Sequence, residues 1–234
     1  MTFFASIFPV LSWIAYNLIV PLVEARYPSL SEIMSMQRRR WVANAARRDT
    51  PVDAILAGNL MGSVSFLAST SMLIVLALFA AFGQLASLVR TLSTFGFGSD
   101  YSATDVQIHL LVMLAIFAAS FFAFTLSLRQ FNHFCILLGT LSHDTPVSEE
   151  EINGIAQLNS LAAKNFNSGL RAFYFAVPAV AWFHSPWLSI LATIVMTALI
   201  IQREFFSSSH RVAAALAIQA GKREQKQKLE ETQL

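Results

Sequence analysis

Charge is what this sequence has least of. Of its 234 residues only 13% are Asp, Glu, Lys or Arg, while 55% are hydrophobic, and the mean hydropathy is +0.55. Soluble domains carry about a quarter charged residues. The scarcity excludes an ordinary water-solvated globule and implies a chain whose solvent is lipid. Cysteine is nearly absent as well. The single thiol, Cys135, excludes an intrachain disulfide, and between Phe134 and Ile136 it reads as a small hydrophobe. No Lys or Arg precedes the first apolar run, which argues against a cleaved signal peptide.

The usual marks of chemistry are missing too. No His, Cys or carboxylate pair has metal-ligand spacing, and the histidines at 109, 133, 143, 184 and 210 are scattered. His109 and His184 read as interfacial residues, and nothing favours haem ligation. There is no phosphate-binding glycine loop and no nucleophile elbow. The apolar runs hold no central carboxylate, since Asp53 and Glu204 fall near their ends. Proton-coupled transporters usually carry such a group, and inverted repeats are not visible either. An enzyme needs paired acid–base groups, and His133 beside Arg129 is the only candidate. The expectation is no catalytic residue, no metal and no cofactor.

What is present is a set of long apolar runs. They predict an all-α polytopic membrane bundle with five transmembrane helices at about 3–23, 56–82, 106–128, 166–183 and 187–203. A charged helical tail over 206–234 would follow the transmembrane domain of 1–205, with Glu224 and Lys228 as an i,i+4 pair. Start signals punctuate the chain. Ser29 with Glu32 predicts a short interfacial helix around Trp41 and its arginines. Thr50-Pro51 with Asp53, Ser102 with Asp105, and Ser148 with Glu151 predict three further starts. Residues 83–105 read as a loop, and His143, Asp144 and Pro146 as a turn. One long helix is expected from about 148 to 183, with a kink at Pro178. Small residues recur at close spacing along two helices: Gly58, Gly62, Ser65 and Ser69 on one, and Ala115, Ala119, Ala123 and Ser127 on the other. Such stripes let a neighbouring helix approach.

Charge orients the runs. With five spans and the N-terminus outside, every Lys and Arg except Arg90 falls on the cytoplasmic side. With a single crossing over 171–202, the basic tail moves outside and the asymmetry largely dissolves. The reading is therefore N-out and C-in, in a bacterial inner membrane. The arginines at 38–40 and 47–48 then read as a topology signal and a contact for anionic phospholipids, not for nucleic acid.

One polar patch stands out. Arg129, Asn132 and His133 share a helical face at i, i+3 and i+4 where the third span meets the cytoplasmic side. Arg129 can simply snorkel to headgroups. The next helix enters the same side with Asn165, Asn167 and Arg171. If the two faces meet, they make a cationic, amide-rich pocket for an anion or lipid headgroup.

Three segments, LMGSVSFLASTSML (60–73), TLSLRQFNHFCILLG (125–139) and NFNSGLRAFYFAVPAVAWF (165–183), resemble the signature segments of the DUF599 family, and Trp41 and Asp53 are similar to its pattern. The likeness covers roughly 5–205. It implies a multi-pass membrane protein and no defined activity. The leading functional expectation is a non-catalytic accessory or assembly component with a membrane-protein partner or a second copy of the chain. A lipid- or anion-binding protein and a small transporter or channel are the alternatives.

Overall fold

The computed structural model describes residues 1–48, 51–96, 101–141 and 146–232, leaving aside some side chains beyond residue 223. Over these residues the chain is helical, with no strand. The helices are α1 (Thr2–Glu24), α2 (Leu30–Ala45), α3 (Val52–Gly83), α4 (Leu85–Thr94), α5 (Ala103–Gly139), α6 (Glu149–Ala181), α7 (Pro186–Ile201) and α8 (Ser208–Thr232). A short π-helical segment, Gln202–Phe206, joins the last two.

Four stretches are long and apolar enough to cross a membrane: α1, α3, α5, and the run Pro186–Arg223 made by α7, the π segment and the start of α8. This is an integral membrane protein by that measure. The expected fourth span, 166–183, lies in the second half of α6 and is not among the four. Asn167 and Arg171 dilute its hydropathy.

The local signals act as their chemistry dictates. Ser29 Oγ accepts from the Glu32 amide at 3.3 Å and opens α2. Ser102 with Asp105 and Ser148 with Glu151 form reciprocal capping boxes at α5 and α6. α5 runs unbroken through the polar patch to Gly139, and α6 is one helix of 33 residues. Thr50, His143 and Asp144, all named above, lie outside the described residues, as do residues 97–100 of the expected loop and the side chains of Glu224 and Lys228.

Four local expectations are corrected. Residues 85–94 are helical, because Leu85, Leu88, Val89 and Leu92 fall at helical spacing and pack on the core. Asp53 does not cap α3. It accepts from Trp41 Nε1 at 2.6 Å and from Arg48 Nε and a terminal nitrogen at 3.0 and 2.6 Å, tying α2 to α3. Trp41 accordingly packs inward, 5.4 Å from the Phe134 ring. His109 is not interfacial but fully buried.

α6 is the hub. It packs most extensively on α5 and also meets α1, α2 and α7. Gly169 makes the closest approach possible, facing the fully buried Phe124 ring. Two hydroxyls cross the same seam, Ser120 to the Gly169 carbonyl at 3.0 Å and Ser127 to the Ala162 carbonyl at 2.7 Å. Such bonds satisfy polar groups where lipid cannot. One end of the bundle gathers on Trp182. Its Nε1 donates to the Thr2 carbonyl at 3.1 Å, and Tyr101 and His109 stack on it at 4.3 and 4.2 Å. His109 Nε2 sits 2.9 Å from the Ala179 carbonyl and Nδ1 sits 2.6 Å from Ser6 Oγ. The carbonyl can only accept, so Nε2 carries the proton and the Ser6 hydroxyl donates to Nδ1. This ties α1, α5 and α6.

Candidate polar cavity between α2, α6 and the end of α7

At the other end of the bundle α2 lies across α6, and the end of α7 comes up beside them. Ser31, Met34 and Arg38 of α2 line a cavity of about 210 Å³ with Asn167, Arg171 and Tyr174 of α6 and Ile200, Arg203 and Glu204. The π segment places Arg203 and Glu204 here. Its wider turn lets consecutive side chains face α6.

The charges are unevenly matched. Glu204 is held by Arg171, through Nε at 3.1 Å and a terminal nitrogen at 2.9 and 3.0 Å. A fork geometry of this kind is the strongest form of such a pair. Arg171 also donates to Asn17 Oδ1 at 3.3 Å and lies over the Tyr16 ring at 5.1 Å. One carboxylate therefore answers one guanidinium. Arg203 donates to the neutral Tyr174 hydroxyl at 2.5 Å. Arg38 donates through Nε to Asn159 Oδ1 at 3.2 Å, and Asn159 is fully buried. Among the described residues no carboxylate pairs with Arg38. Burial pushes its guanidinium below the ordinary arginine value, yet arginine stays charged. The cavity thus holds three cations and one anion.

The six residues singled out in the sequence do not form one site here. Arg129, Asn132 and His133 are exposed on α5, on the face away from α6. The α5 residues that meet α6 are Phe124, Ser127 and Phe131. Asn165 donates to Gln130 at 2.7 Å, which links α6 to the helix carrying the first patch but not to Arg129, Asn132 or His133 themselves. Asn167 donates to Ser31 at 2.9 Å, and it and Arg171 line the cavity. The exposed Arg129 suits a snorkelling role. Arg38, Arg203 and Glu204 were missed as a group. The one hint was Glu204, an acidic residue at the end of an apolar run that needs a partner.

The small-residue stripes also fall differently. α3 packs through Asp53, Ala57, Val64, Ala68 and Ser71, so Gly58, Gly62, Ser65 and Ser69 are exposed, with open space beside both glycines. On α5, Ala115 is exposed and Ala119 and Ala123 are half-buried. Among the described residues no group of three His, Cys, Asp or Glu is placed to hold a metal ion.

Residues 4–209 match the family described as "Protein of unknown function, DUF599". The chain belongs to the DUF599 family. The match takes in every helix from α1 to α7 and all residues of the polar cavity. No curated protein and no solved structure matches the chain.

Proposed function

We propose that this DUF599 protein is a five-span, non-catalytic membrane protein with its N-terminus outside, in a bacterial inner membrane. Its cytoplasmic-side cavity binds a phosphate-bearing anion, either a lipid headgroup or the free ion. Two features support the fifth crossing. The second half of α6 is enclosed by other helices, leaving only Val177 and Val180 well exposed, so it does not need the hydropathy of a lipid-facing helix. Its end at Trp182 also meets the first residues of α1, as antiparallel passage beside α5 requires. A thiol-specific reagent that cannot cross the membrane should label a cysteine at residue 95 only from outside and one at 222 only from inside.

The observation that carries the binding reading is Arg38, a half-buried guanidinium that faces the cavity and has no carboxylate partner among the described residues. A buried charge is stable only when matched. Arg203 beside it can supply a second arm to the same anion. The test uses the whole chain in phosphatidylcholine nanodiscs. Phosphatidylglycerol or inorganic phosphate should raise the melting temperature by mass action. Arg38→Gln should remove that response and Arg129→Gln should keep it. No response in the wild type, or an equal response in Arg38→Gln, would reject the reading.

The accessory or assembly role is favoured by a different observation, the exposed Gly58, Gly62, Ser65 and Ser69 stripe with open space beside it. Gly62→Leu should then separate the protein from a second copy or a co-purifying membrane protein. A monomer in gentle detergent before substitution argues against it.

A further inference from the structure

A larger cavity lies on a different face, between α1 and α7, and is closed at one end by the π segment and α8. Its volume is about 960 Å³, at the upper end of the range of about 300–1,000 Å³ for small-molecule sites. The wall is almost wholly carbon. On α1 it extends from Phe8 to Val23, a rise of about 22 Å at about 1.5 Å per residue. The space exists because the facing positions are small: Ser12, Ala15, Thr197, Ala198 and Ala214.

We infer that this slot holds the acyl chains of an anionic phospholipid, with the headgroup at the Tyr27–His210 end. Three observations point to that occupant. The lips of the slot, Ile19, Ile194 and Phe206, are exposed on two candidate spans, so the surrounding phase is hydrocarbon. Water has almost nothing to bond to along such a wall. Charge collects at one end, where Arg26 and Arg211 outnumber Glu24, whereas along the wall the polar residues are the uncharged Ser12, Tyr16 and Thr197. Tyr27 and His210 line that end, His210 meets the Pro28 carbonyl at 3.0 Å, and Arg26 and Arg211 are their exposed neighbours in sequence. Among the described residues neither arginine has a carboxylate partner. A long apolar slot ending in a cationic rim matches the shape and charge of an anionic lipid.

The inference is independent of the Arg38 cavity, which lies across α7 behind the Arg171–Glu204 pair. It is tested with phosphatidylglycerol bearing a photoreactive diazirine in its acyl chain, incorporated into nanodiscs with the full chain. Adducts should concentrate on residues 12–23 and 194–201 and fall, in Ala198→Trp, to the level seen on the outer face of α3. Ala15→Phe fills the slot from the opposite wall and serves if the first variant does not fold. Adducts spread evenly over α1, α3, α5 and α7, or undiminished in a folded filled variant, would overturn the assignment. So would equal labelling by the phosphatidylcholine analogue. Disulfide capture between two copies carrying Ile194→Cys with Cys135→Ser would also overturn it, since another chain would then occupy the slot.

Discussion

Two glycines of α6 should respond to the same substitution with opposite sign. A Cβ built at Gly169 would lie 2.6, 2.7 and 2.9 Å from three atoms of the Phe124 ring, whereas one at Gly154 meets nothing within 4 Å. The ring cannot easily retreat. It is fully buried and packed against Phe166 and Phe173, with centroids at 5.8 and 6.2 Å. Overpacking of this kind costs about 1–3 kcal/mol. Replacing glycine by alanine within a helix returns about 1 kcal/mol. Gly169→Ala should therefore lose up to about 2 kcal/mol net, while Gly154→Ala should gain about 0.5–1 kcal/mol. Separating α5 from α6 would also stretch the Ser120 and Ser127 bonds, so the loss should appear as faster amide exchange along that seam. Reversible unfolding in mixed micelles measures both variants. Adding Phe124→Leu to Gly169→Ala should recover part of the loss, giving a favourable coupling term. Equal or greater stability of Gly169→Ala alone would refute the close α5–α6 seam.

Breaking the Arg171–Glu204 pair should be costly. Glu204→Gln strands a guanidinium with 13% of its side chain exposed, for about 3–5 kcal/mol, and the double change Arg171→Met with Glu204→Met should recover most of this in the same unfolding assay. Ser6→Ala leaves His109 Nδ1 without its donor, at about 1–3 kcal/mol, whereas Thr197→Ala, whose hydroxyl bonds only within its own helix, should change stability far less. Burial, and then the Asp105 charge, push the Tyr101 hydroxyl up from 10 to about 12. The folded state thus holds this proton more tightly, so the contribution to stability is complete below pH 10 and lost as pH rises to about 12. Tyr101→Phe should remove that part of the alkaline loss in a stability–pH titration.

Much of the fold is legible in the chain because its causes are local. Ser102 with Asp105 and Ser148 with Glu151 start helices wherever they occur, and Gly139 marks the end of α5 as expected. α4 was hidden because a ten-residue amphipathic helix has no long apolar run, and its leucine spacing is short enough to pass for a loop. Membership of DUF599 was likewise carried by contiguous segments, the three at 60–73, 125–139 and 165–183 taken together.

The cavity was only half legible. Asn167 and Arg171 could be named from the sequence, but their partners could not. Helical periodicity fixes which residues share a face, and not the direction in which that face points. Arg129, Asn132 and His133 do share a face, and tertiary packing turned it outward, since Phe124, Ser127 and Phe131 claim the contact with α6. The same competition turned the Gly58 stripe outward and His109 inward. Lipid solvation and helix capping act within one segment, so the sequence by itself determined an all-helical membrane protein and most of its helix ends. Which arginine keeps a carboxylate and which faces the cavity without one depends on residues as distant as Arg38 and Asn159, and only the packing of α2, α6 and α7 decides that.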